Sequence, residues 1–425
     1  MPRPTNRPTN RPTSRREFLK IGLGALPVIS LGSAVPLFVP KFAHAGKNAG
    51  TQVPDDNILV VLQLSGGNDG LNTLVPFGSD VYAKARGGLR ISEDKLLRLD
   101  GYHADQAFGL HPSMTGFKGL WDEGKLAVIH GCGYPKPNRS HFESMHIWHT
   151  ADPSGGTAGG WLGHLLDHLS RGTTHDALRA INVGNQLPQA LVNDEAPVPS
   201  LRNISDFGIQ LENGYDKALE KSLIEELNAM SEASPAHAFL SRQATNAIIS
   251  AEEMQKLTDG YTPDAEYPRG LGDRLKTVAQ IIAGGFGTRL FYVEIGGFDT
   301  HRDQANQHAN LLGQVSGAVT AFLKDLEAKK LGSKVTVMCF SEFGRRVKPN
   351  GSNGTDHGAA GPMFVAGAGV KGGQYGTPPS LTDLDADDLK FTTDFRSVYA
   401  SVLEGWLNCS AADVLKGAYK PLPIF

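Results

Sequence analysis

Six side chains carry the chemistry this sequence could do: Asp69, Asp299, His301, Glu342, Asp356 and His357. Carboxylate oxygens and imidazole nitrogens in one set suit a divalent cation such as zinc or manganese. Asp299-Thr300-His301 puts two ligand types two residues apart, a spacing that extended backbone aims at one ion. Asp356 and His357 are adjacent, so in extended backbone they point apart. They could serve two neighbouring ions, or one ion and the groups that orient its ligands. A lone aspartate after a strand is usually a turn or cap residue. Several aspartates arriving together with two histidines are what point to a site.

The elements around these residues give the means of bringing them together. Asn57–Leu64 is a continuous apolar run ending in Ser65-Gly66-Gly67-Asn68-Asp69-Gly70, the pattern of a buried parallel strand meeting a tight turn. Leu126–His130, Leu290–Ile295 and Val335–Phe340 have the same form, each ending in glycine or polar residues. Helical periodicity separates them over Gly272–Ala283 and Gln304–Leu331, and an amphipathic helix is expected over Asp394–Leu407. Strands alternating with helices predict an α/β fold, a mostly parallel central sheet with helices on both faces. Such sheets bind ligands beyond the strand C-termini, so the six side chains should form one cluster there, with Asp356 beside it. The stretch around 151–270 begins rich in glycine, serine and threonine and becomes helical and charge-mixed from Gly214 to Leu257. It reads as an insertion or cap within one domain spanning 46–425.

The N-terminus reads as an export leader. Arg15-Arg16 precede an apolar stretch from Ile21 to Val39 that is broken by three glycines and two prolines, too interrupted for a membrane span. Ala43-His44-Ala45 has the small residues of a peptidase site, so residues 1–45 form a twin-arginine signal peptide and the mature chain starts at Gly46. The expected partner is the twin-arginine export machinery, with no stable membrane insertion after cleavage and a periplasmic destination. The leader carries seven Lys/Arg against one Glu, so its loss takes the formal charge from −3 to about −9. An acidic surface argues against a nucleic-acid partner. Cys132, Cys339 and Cys409 have no zinc spacing, cannot all pair with one another, and are expected in the core.

Five ordered motifs resemble the family named for domain of unknown function 1501: Ser65-Gly66-Gly67-Asn68-Asp69-Gly70-Leu71-Asn72-Thr73, Asn138-Arg139-Ser140-His141-Phe142, Gly297-Phe298-Asp299-Thr300-His301, Ser341-Glu342-Phe343-Gly344-Arg345 and Gly354-Thr355-Asp356-His357-Gly358. Its members are similar to the alkaline phosphatase and sulfatase superfamily. The resemblance implies an alkaline-phosphatase-like fold, a divalent metal and hydrolysis of phosphate or sulfate esters, on a small-molecule or polymer substrate. It implies that Asp69 is the metal-binding aspartate after the first strand, that Asp299 and His301 are a later ligand pair, and that His357 is the final histidine. Glu342 stands where that superfamily has an aspartate. Phe343 fills the place where another ligand often sits, a departure that bears on whether two metal positions exist. The superfamily's nucleophile starts the helix after the second strand. Ser140 is the hydroxyl so placed, with Arg139 beside it to grip an anion. Ser140 is equally suited to be the N-cap of a helix carrying Glu143. Pro135-Lys136-Pro137-Asn138-Arg139 resembles the sulfatase Cys-x-Pro-x-Arg, but proline replaces the cysteine, which argues against a formylglycine enzyme. The alternative to a hydrolase is a non-catalytic metal-binding or ligand-binding protein of the same fold.

Other signals are weaker. Gly367-Ala368-Gly369-Val370-Lys371-Gly372 has the dinucleotide spacing, but Gly373 to Pro379 leaves no helix to meet a phosphate. His141, His146 and His149 fall in one helix, where His146 and His149 could share a face, but with no third ligand in register they read as surface or packing residues, as do His164 and His168, one turn apart.

Overall fold

The computed structural model describes residues 56–100, 107–170, 177–193, 198–204, 258 and 260–425. The expected leader, the expected cleavage site after Ala45 and the stretch from 214 to 257, expected to be helical, lie outside them.

A nine-stranded sheet forms the centre. In chain order its strands are β1 (Ile58–Leu64), β2 (Leu126–Gly133), β3 (Ala180–Val183), β4 (Ser200–Leu201), β5 (Leu290–Ile295), β6 (Val335–Phe340), β7 (Gly361–Gly367), β8 (Gly373–Tyr375) and β9 (Thr393–Asp394). Across the sheet the order is β8-β2-β7-β6-β1-β5-β3-β4, with β9 also on β2. All pairings are parallel except those of β7, which runs against both β2 and β6. The α/β architecture is thus as expected, with one reversed strand that periodicity could not orient. β3 and β4 belong to this sheet, so the first part of the supposed insertion is an edge of the main body. Residues 368–372 connect β7 to β8, and no helix starts there.

Every residue of β1 is buried because both faces are covered. Val60, Leu62 and Leu64 pack on one side with α1 (Thr115–Asp122), α4 (Leu271–Gly284) and α5 (Gln304–Ala328). Leu59 and Val61 pack on the other with α2 (His141–Thr150), α3 (Trp161–Ser170), α6 (Phe395–Gly405) and α7 (Ala411–Leu415). The alternation follows from the two-residue period of a strand. α2 is fixed by Trp148, which stacks between Phe340 at 5.2 Å and Phe395 at 4.2 Å. Such contacts are worth roughly 0.5–1.5 kcal/mol each beyond burial. Cys132, Cys339 and Cys409 are buried in the core, as expected, and burial pushes the Cys339 pKa up to about 12. Among the described residues no helix is long and apolar enough to cross a membrane.

Because β1, β2, β5 and β6 point the same way, the loops that leave them open at one sheet edge. The segment entering the reversed β7 arrives there too. All five motifs therefore lie at that edge.

Candidate metal centre

Three of the loops deliver imidazoles to one carboxylate. His301 Nε2 lies 3.0 Å and His357 Nε2 3.1 Å from Asp299 Oδ1, and His141 Nε2 lies 3.5 Å from Asp299 Oδ2. The two rings of His301 and His357 approach Nε2 to Nε2 at 2.9 Å. One ligand atom each from His141, Asp299 and His357 can be chosen so that all lie within 4.8 Å of one another. Bonds near 2.0–2.2 Å in a tetrahedron place ligand atoms about 3.3–3.6 Å apart, close to the 3.1 Å and 3.5 Å that separate His357 Nε2 and His141 Nε2 from the Asp299 oxygens.

The outer ring nitrogens decide which way the lone pairs point. His357 Nδ1 sits 2.8 Å from the backbone oxygen of Arg139, which can only accept, so Nδ1 carries the proton. His141 Nδ1 lies 2.8 Å from Glu342 Oε1, and His301 Nδ1 lies 3.2 Å from Asp356 Oδ1. In each neutral ring the remaining lone pair is then on Nε2 and faces the others. This is the tautomer that metal-binding histidines adopt when a carboxylate or carbonyl holds the far nitrogen. His141 Nε2 is buried without a hydrogen-bond partner. A cation is what would satisfy a desolvated lone pair in that position.

The charges agree. The Glu342 hydrogen bond, outweighing burial, raises the His141 pKa and makes its ring a better donor to a cation. Burial lowers the His357 pKa and keeps that ring neutral. Burial would raise Asp299, but the hydrogen bond and charge of the Arg345 guanidinium outweigh it and hold the carboxyl at about 2, fully ionised. The Asn350 amide, with His301, lowers Asp356. Phe343 packs its ring 4.9 Å from His141 and 4.8 Å from His357, forming an apolar wall where a further ligand was in question.

The remaining expected residues divide. Glu342 acts through His141 and through the backbone of the first loop, accepting from Gly66 N at 2.8 Å. Asp356 acts through His301. Asp69 does not join the cluster. Its carboxylate is fully buried and takes Arg86 and Gln304 as partners. Burial tends to raise its pKa, and Arg86 and His308, with the Gln304 hydrogen bond, bring it below the usual range. The expectation of a first-strand metal ligand is therefore corrected. Asp69 N-caps the short helix Gly70–Thr73, and a buried guanidinium claims its charge.

Arg139 is corrected as well. Its guanidinium donates to Asp388 Oδ2 at 2.6 Å, so the charge intended for an anion is already paired, and its contribution to the site is the carbonyl on His357. Ser140 is exposed at the N-cap of α2, and its hydroxyl accepts no cap hydrogen bond. By residue type and spacing His141 reads with His146 and His149 as a surface or packing residue. Those two do pack, on Gln189 and on Gln63 with Tyr292. His141 differs in being the first residue of its helix, where a side chain projects past the helix end. That position was the signal available.

The sequence model of a family described as protein of unknown function, DUF1501, matches residues 56–397. No curated protein matches. Among solved structures, the C-terminal periplasmic domain of EcEptC from Escherichia coli in complex with Zn is 11% identical, with 84% of this chain and 80% of that chain covered and a TM-score of 0.33. A protein in the alkaline phosphatase superfamily from Vibrio parahaemolyticus is 9% identical over 76% and 63%, with a TM-score of 0.32. The PsFucS1 sulfatase from Pseudoalteromonas sp. is 11% identical over 82% and 67%, with a TM-score of 0.36. Superpositions this loose transfer neither a reaction nor a ligand.

Proposed function

We propose that this chain, which belongs to the DUF1501 family, is an exported metal-dependent hydrolase of phosphate or sulfate esters. The observation that carries the reading is the convergence of three Nε2 atoms on Asp299, each ring held at Nδ1 by an acceptor. His141, His357 and Asp299 would hold a divalent cation, zinc or manganese, with His301 at the rim. Three protein ligands and a partly exposed Asp299 leave room for an incoming oxygen, as in catalytic rather than structural zinc sites. A cation bound there supplies Lewis-acid polarisation of an ester oxygen and acidifies a neighbouring hydroxyl.

In the same proposal the Ser140 hydroxyl, next to His141 in the chain and free of any cap bond, attacks phosphorus or sulfur; the bond to the alcohol breaks, the serine proton leaves with that alcohol, and water then hydrolyses the Ser140 ester to release phosphate or sulfate and restore the hydroxyl. The first N–H groups of α2 favour an anion at that end. Export to the periplasm is supported by Arg15-Arg16 and Ala43-His44-Ala45.

The test is metal analysis of the purified mature protein, followed by a screen of phospho- and sulfo-esters with zinc or manganese added. Hydrolysis that disappears with a chelator and with His141→Ala supports the proposal. Stoichiometric metal with no turnover of either ester class leaves the non-catalytic metal-binding reading in its place.

A further inference from the structure

One buried side chain at this edge is neither a ligand nor a nucleophile. Arg345 is buried, and its N–H groups reach three other chain segments. Nε donates to Gly67 O at 2.7 Å, and Nη1 donates to Thr355 O at 2.8 Å and stands 3.4 Å from His301 Nε2. Nη2 reaches Gly66 O, Phe298 O at 3.2 Å and Asp299 Oδ1 at 2.6 Å. These acceptors lie on the loop after β1, the loop after β5 and the segment entering β7. The last two carry Asp299, His301 and His357.

We infer that Arg345 is a positioning residue: its guanidinium ties these loops together so that the metal centre is assembled before a cation arrives, and it confines that centre to one cation. The inference rests on the metal-centre reading above and extends it.

Two glycines make the arrangement feasible. Gly66 has φ +121°, and a Cβ there would lie 2.4 Å from Asp299 N. Gly67 has φ +76°, and its Cβ would lie 2.3 Å from the Phe343 ring. With no side chain at either position, the loop can bring two carbonyls onto the guanidinium. That gives the Ser-Gly-Gly-Asn-Asp-Gly motif a role that needs no metal ligand in it. The first loop receives Arg345 on its carbonyls and Glu342 on the Gly66 N–H, so the Ser-Glu-Phe-Gly-Arg motif grips it from both sides.

The charge sets the number of ions. A fixed guanidinium on Asp299 Oδ1 and close to His301 Nε2 repels a cation from that side. Asp299 Oδ2, His141 Nε2 and His357 Nε2 remain, room for one ion. Asp69, the further carboxylate that the family resemblance offers a cation, is claimed by Arg86.

Arg345→Lys separates the two effects, because it keeps the positive charge and loses the planar fork. Zinc is titrated calorimetrically into metal-free wild type and Arg345→Lys at a temperature where both are folded. Tyr267→Phe, which removes one hydroxyl from Asp325 away from the site, serves as a destabilised control. The expected result is one zinc per wild-type chain, affinity weakened on the order of 10–100-fold in Arg345→Lys, and unchanged affinity in the control. Wild-type affinity in Arg345→Lys with only a lowered Tm would mean a purely structural role. Tighter binding, two zinc ions per chain, or no zinc bound by wild type would each overturn the inference.

Hydrogen exchange on wild type alone covers the case of a variant that fails to fold. Amides of 66–68, 298–301 and 355–357 should be equally protected with and without zinc, and strong protection appearing only with zinc refutes pre-assembly. One bound zinc without ester turnover would defeat the hydrolase proposal and leave this inference intact.

Discussion

Replacing Asp69 with asparagine separates a metal ligand from a structural ion pair. Both Asp69 and Arg86 have side chains with 0% exposure, and Arg86 Nε is already without a hydrogen-bond partner. Asp69→Asn keeps the size and one acceptor oxygen but leaves the guanidinium charge uncompensated in a buried place. Breaking a buried pair from one side costs about 3–5 kcal/mol. For chains of 150–250 residues each kcal/mol moves Tm by roughly 2–4 °C, and by less in a larger one. A drop on the order of 5–10 °C is therefore expected. Once folded, the variant should bind zinc as wild type does, because no Asp69 oxygen is among the atoms that meet at Asp299. Differential scanning calorimetry gives the first quantity and zinc titration at 20 °C the second. A variant that melts with wild type yet has lost its zinc would refute this account and return Asp69 to the ligand set.

Glu342→Gln should weaken zinc binding on the order of 10–100-fold, because the amide can no longer fix and enrich the His141 ring as a carboxylate does; competition with a fluorescent chelator measures it. Ser140→Ala should abolish ester hydrolysis on the order of a hundredfold or more with Tm unchanged, since the hydroxyl makes no cap bond; an unaltered rate removes Ser140 as nucleophile. His149, His130 and His308 are buried neutral, their pKa values lowered by burial to about 3, about 4 and about 4. As pH falls from about 6.5 to about 4 the unfolded chain takes up protons that the folded one refuses, so Tm should fall across that window, and a flat profile contradicts the burial. Arg15→Lys with Arg16→Lys should stop export, and N-terminal sequencing of periplasmic wild type should begin at Gly46.

The strands were legible because their signal is local. The runs read at Leu290–Ile295 and Val335–Phe340 are strands with those bounds, and the helix expected over Gly272–Ala283 spans Leu271–Gly284. Apolar composition and period depend only on neighbours in the chain, and strands alternating with helices fix a parallel sheet whose loops share an edge. That much put Asp69, Asp299, His301, Glu342 and His357 in one expected cluster at that edge, with Asp356 beside it. Tertiary structure alone decided which charge meets which. Asp69 and Asp299 both follow a strand and a glycine-rich turn, but one is claimed by Arg86 and the other is left facing three imidazoles. His141 reads like His146 and His149 until the helix end is laid against Glu342, 201 residues away in the chain. The direction of β7 and the reach of Arg345 to Gly66 and Gly67 are likewise contacts between distant segments. A side chain's partner is set by what the fold buries beside it, and residue type and spacing along the chain carry no record of that.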